Sequence, residues 1–134
     1  MLKVDPDPTF TKPVKFKTPQ GEQSLLLVFR HMTVEEHDKW WAEALQRYRD
    51  HVAALDAHMK ALQELAEGAE PPEAPKQPKT GLDEIMDVVV GWEEVDQPFS
   101  REALAKVLSN YHDLSAKKIC EAWSSGLTQA TVEN

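Results

Sequence analysis

Between Thr33 and Glu67 the chain contains neither proline nor glycine, although nine prolines and five glycines punctuate the rest of its 134 residues. Those two residue types interrupt helices, proline by removing a donor and clashing with the preceding turn, glycine through its backbone entropy. Thr33-Val34-Glu35-Glu36 has the capping-box pattern, and Glu35, Glu36 and Asp38 suit the positive end of a helix. The stretch is therefore expected to form one helix of about nine turns, roughly 50 Å long. Gly68, Pro71 and Pro72 stop it.

Trp41, Leu45, Tyr48, Val52, Leu55, Met59 and Leu62 follow one another at intervals alternating between four and three residues. That is a heptad seam, which a single helix cannot cover by itself. Two accounts stay open: packing against helices later in the same chain, and association with another copy. Trp40 and Trp41 point about 100° apart on a helix, so one can face the seam while the other meets something else.

Pro6, Pro8 and Pro13 make residues 1–13 an extended arm. Val14 and Phe16 alternate with Lys15 and Lys17, Pro19 and Gly21 supply a turn, and Leu25 to Arg30 reads as a second strand, so residues 14–31 are expected to form a β-hairpin. Four prolines and no large apolar residue mark 68–81 as a solvated linker. Beyond it, Leu82, Ile85, Met86, Val89 and Trp92 fall on one helical face. Val88-Val89-Val90 alone would favour a strand, but the flanking period favours a helix. Ser100 is an N-cap, with Phe99 placed to staple onto Leu104, and Ser115 precedes a last helix with Ile119, Ala122 and Trp123 inward. The expected fold is mainly α: an N-terminal β-hairpin, one long helix, then a small C-terminal cluster of three short helices. The expected organisation is an arm (1–13), hairpin plus long helix (14–67), Pro-rich linker (68–81), helical module (82–127) and polar tail (128–134).

The formal net charge of −8 provides no basic face of any size for phosphates, which argues against nucleic-acid binding. The longest purely apolar run, Leu25 to Phe29, is far short of the roughly 20 residues of a membrane span. The first 20 residues lack the apolar core of a secretory signal. Asp83, Glu84, Asp87, Glu93, Glu94 and Asp96 form a base-free acidic stretch, read either as a solvated face or as a surface for a basic partner. Cys120, the single cysteine, permits no intrachain disulfide and sits in an apolar helical context that suits a buried small residue.

Catalytic patterns find no support: every glycine is isolated, and no serine stands in a nucleophile elbow. His51 and His58, with Asp50 nearby, are two turns apart, too far for one metal ion. No metal and no cofactor is expected. The tryptophans carry more information. Trp40, Trp41, Trp92 and Trp123 are either core residues or, for at least one of them, a partner contact.

The run Trp92-x-x-Val95-x-x-Pro98-Phe99-Ser100-x-Glu102-x-Leu104, with Tyr111 in the following helix, resembles the tail assembly chaperones of long-tailed bacteriophages. The close resemblance covers residues 85–127; the N-terminal part agrees in layout. It implies a non-catalytic protein that binds the phage tape measure protein and keeps it soluble during tail morphogenesis. It further implies action in the host cell cytoplasm and absence from the mature virion. Possible contact with the tail tube protein and homo-oligomerisation belong to the same expectation. The residues expected to carry binding are Trp41, Leu45, Tyr48, Val52 and Leu55 on the long helix, and Met86, Val90, Trp92 and Phe99 in the C-terminal module. The competing readings are a structural head–tail connector or tail-tube-associated protein, and a small enzyme or metal-dependent regulator using Asp50, His51 and His58.

Overall fold

The computed structural model describes residues 1–77 and 79–128. Its elements in chain order are β1 (Thr9–Thr18), β2 (Gly21–Arg30), α1 (Val34–Gln63), α2 (Gly81–Val88), β3 (Val89–Glu93), α3 (Arg101–Asn110) and α4 (Ala116–Gly126). They form two compact units, residues 1–33 together with the segment from Gly81 onward, and residues 34–80.

The first unit is built on a three-stranded antiparallel sheet in the order β1-β2-β3. The hairpin turn is Pro19-Gln20, closed by the Thr18 hydroxyl donating to the Gly21 carbonyl at 2.7 Å. Gly21 has φ +118°, a conformation that only glycine adopts without strain. Pairing extends to Thr9↔Arg30, so the hairpin begins inside the segment expected to be an arm. Pro13 is tolerated there because β1 lies at the edge of the sheet.

Alternation along the strands buries Val14 and Phe16 with Leu25, Leu27 and Phe29. On that side lie Ile85 and Val88 of α2, Val89 of β3, Ala103 and Leu104 of α3, Leu114, and Ile119, Cys120 and Trp123 of α4, all buried. Each large side chain among them contributes about 1.5–3 kcal/mol by leaving water. Phe10 stacks on Phe29 at 5.5 Å, and Phe16 meets Tyr111 edge-on at 5.2 Å. Ser100 caps α3 by accepting from the Ala103 amide, as the sequence led one to expect, and Ser115 caps α4 in the same way by accepting from the Lys118 amide. Arg101 donates to Asp83 at 2.6 Å and links α3 to α2.

The mainly α expectation is overturned: the chain is mixed α/β. The difference lies at residues 89–93, where the apolar period suggested a helix continuing to Trp92. α2 instead ends at Val88, and β3 pairs with β2 as Phe29↔Val89, Val28↔Gly91, Leu27↔Trp92 and Leu26↔Glu93. Two causes act together. Val88-Val89-Val90 is β-branched and Gly91 disfavours a helix. Strand β2 also offers unpaired backbone groups on its second edge, which β3 satisfies. The register shifts between Val28 and Phe29, so Val90 is the extra residue of a bulge. Glu94, at φ 59°, turns the chain out of the sheet.

The second unit contains α1, 30 residues with Glu35 and Glu36 in its first turn and Lys60 in its last, and the segment through Thr80. Of the polar tail expected over 128–134, only Thr128 is among the described residues.

Candidate partner-binding surfaces

Helix α1 carries the seam that the heptad spacing defines. Trp41, Leu45, Tyr48, Val52 and Leu55 are all exposed, Tyr48 at 65%, and Met59 and Leu62 continue the same line. Its less exposed stripe is a different one: His37, Trp40, Ala44, Arg47, His51, Ala54 and His58, also spaced alternately by three and four. The two stripes share no residue, so burial on this helix leaves the apolar seam facing water. The adjacent tryptophans divide between them: Trp40 is buried and Trp41 exposed, their rings edge-on at 5.2 Å. Trp41 Nε1 donates to His37 Nε2 at 2.8 Å, which requires that nitrogen to be unprotonated. The bond fixes the indole across one helical turn and so lowers the entropy that a contact would cost.

The second surface belongs to the sheet-containing unit, at the corner where β3 leads into α3. Trp92 pairs opposite the buried Leu27 yet stays half-buried itself. Its Nε1 donates to the Gln97 carbonyl at 2.9 Å, and its ring meets Phe99 edge-on at 5.2 Å. The segment 93–99 is thereby folded back over the indole. A pocket is lined by Trp92, Val95, Asp96, Gln97 and, from α3 and its C-cap, Ala103, Lys106, Val107, Asn110 and Tyr111. Val90 is 42% exposed because the bulge turns it away from the core, and Met86 is half-buried on α2.

The nine residues named from sequence therefore divide between the two units: five on α1, and four on α2, β3 and the corner that follows, of which Trp92 and Phe99 are in contact. Sequence reasoning did not single out the pocket-lining Gln97, Lys106 and Asn110. They are polar residues on no recognisable motif: Lys106 and Asn110 lie one turn apart on α3, and Gln97 joins them from the segment that precedes it.

Little here suits covalent chemistry. Among the described residues no group of three or more His, Cys, Asp and Glu is placed to hold a metal ion. Asp50 accepts from its neighbour Gln46 at 2.9 Å. Cys120 is buried, and burial, followed by the charges of Glu84, Asp87 and Glu121, pushes its thiol up to about 12, which withholds the nucleophilic thiolate. No helix among the described residues is long and apolar enough to cross a membrane.

A family model described as phage tail assembly chaperone matches residues 1–134. No curated protein and no solved structure matches the chain.

Proposed function

The chain belongs to the phage tail assembly chaperone family, and on that premise we propose that it binds the tape measure protein and keeps it soluble until the tail tube forms around it. The observation that carries this reading is the line of large apolar side chains, Trp41, Leu45, Tyr48, Val52 and Leu55, left exposed along α1. A client that is itself a long helix with apolar stripes is recognised by a helix face of this kind. The corner bearing Met86, Val90, Trp92 and Phe99 offers a second, smaller contact. Each contact alone is weak; several chaperone copies along one client convert weak contacts into firm retention. The net charge of −8 keeps a loaded complex dispersed. This is holding without chemical change, performed in the host cell cytoplasm, and the protein leaves before the virion is complete.

The test is co-expression with the tape measure protein of the same phage. The client is expected in the soluble fraction and in the affinity eluate with the wild-type chain. The double variant Leu45→Asp/Leu55→Asp, checked for unchanged secondary structure by circular dichroism, is expected to lose most of it. A client that stays soluble without the chaperone, or binds the double variant undiminished, defeats the proposal. Mass spectrometry of purified virions is expected to find no copy of the chain; stoichiometric presence points to a structural tail component.

A further inference from the structure

We infer that, before a client arrives, the α1 seam is covered by the α1 seam of a second copy running antiparallel, in one register set by Arg49 and Asp56. The pairing deepens the oligomer expected of the family but does not depend on which client is bound.

The heptad seam places Leu45, Val52 and Met59 at one core position and Tyr48, Leu55 and Leu62 at the other. Two antiparallel copies then form layers of Leu45 with the partner's Leu62, Tyr48 with the partner's Met59, and Val52 with the partner's Leu55, each occurring twice by symmetry. Every layer is apolar on both sides, and all six residues are exposed in the single chain.

The flanks decide orientation and register. Arg49 and Asp56 lie on the same side of the seam, each one position after a core residue, and both are exposed. Neither side chain makes an ion pair or hydrogen bond among the described residues. In the antiparallel arrangement above, Arg49 faces the partner's Asp56, and Asp56 faces the partner's Arg49, giving two attractive pairs. Sliding by one heptad in one direction sets Arg49 against the partner's Arg49; sliding in the other sets Asp56 against the partner's Asp56. Both shifts also lose apolar layers. A parallel, in-register pair sets Arg49 opposite the partner's Ala44 and leaves its charge unanswered. Edge charges of this kind select partner and register in paired helices.

The experiment is sedimentation equilibrium of the full chain alone, without client, as wild type and as the exposed-site variants Arg49→Asp and Asp56→Arg. Wild type is expected to dimerise. Each single variant replaces two attractive pairs by two repulsive ones and is expected to weaken the dimer about tenfold. Mixing the two single variants restores both attractive pairs, so the mixture is expected to associate as tightly as wild type. A monomeric wild type overturns the inference. So do single variants that dimerise normally, or a mixture no tighter than its components, since each of these outcomes removes the antiparallel register. Because no client is present, failure here leaves tape measure binding standing, and loss of client binding leaves this pairing standing.

Discussion

The indole Nε1 of Trp123, near the end of α4, donates a 2.8 Å hydrogen bond to the carbonyl of Arg30, the last residue of β2. Trp123 is fully buried, so this bond satisfies a polar group that water cannot reach and locks the last helix onto the middle strand. Trp123→Phe keeps most of the ring but loses the donor. It is expected to cost about 1–3 kcal/mol, measured by urea denaturation. An unchanged midpoint would show that the bond contributes nothing to stability.

Gly126 closes α4 against β1. A Cβ there would lie 2.5 Å from Phe10 Cε2 and 3.2 Å from Lys12 Cδ. Alanine ordinarily favours a helix over glycine by about 1 kcal/mol; here the crowding reverses the sign, and Gly126→Ala is expected to lower stability by about 1–2 kcal/mol. The clash is with a half-buried ring, so Phe10→Ala should cost less in the Gly126→Ala background than in wild type. Thermal unfolding of the four proteins of this cycle tests it, and additive effects would remove Phe10 as the cause.

Asp113 accepts from the Lys17 backbone amide at 2.7 Å and from Lys118 Nζ at 3.0 Å. The Lys17 hydrogen bond first, then that from Lys118, holds its carboxyl below the ordinary value of 3.8. A depressed folded-state value means that the ionised form favours folding. That contribution is complete above the unfolded value and disappears as pH falls through the folded one. Asp113→Ala is therefore expected to melt below wild type at pH 7, with the gap narrowing under strongly acidic conditions. Melting curves across pH 2–7 check this, and a gap that is constant with pH rules out the carboxylate as its source.

Cys120 provides a local probe of opening. With its thiol pushed up to about 12, about one molecule in ten thousand carries the thiolate at pH 8. Ellman's reagent is expected to leave the native protein unmodified for hours and to react promptly in denaturant. Rapid native labelling would mean that α4 detaches from the sheet without global unfolding.

The long helix was legible because its signal is local. A run without helix breakers and a seam with period 3.5 need no partner to be read, and α1 spans Val34–Gln63, ending four residues before the expected Glu67. The cap Ser100 was legible for the same reason, since a hydroxyl meets an amide three residues away. The family was legible in the corner running from Trp92 to Leu104, whose spacing is set by one turn and one cap.

What sequence could not supply was pairing across distance. Residues 89–93 hold both a helical apolar period and a β-branched run. Only the open edge of β2, some 60 residues earlier, decides for a strand. That decision creates the bulge at Val90, sets Trp92 opposite Leu27 and changes the fold from mainly α to α/β. The sequence by itself determined where helix is continuous and which faces are apolar, because propensity and period act within a few turns. Tertiary structure alone decided which apolar residues are covered, burying Trp40 and leaving Trp41 in water. Burial depends on neighbours that the local chain does not encode.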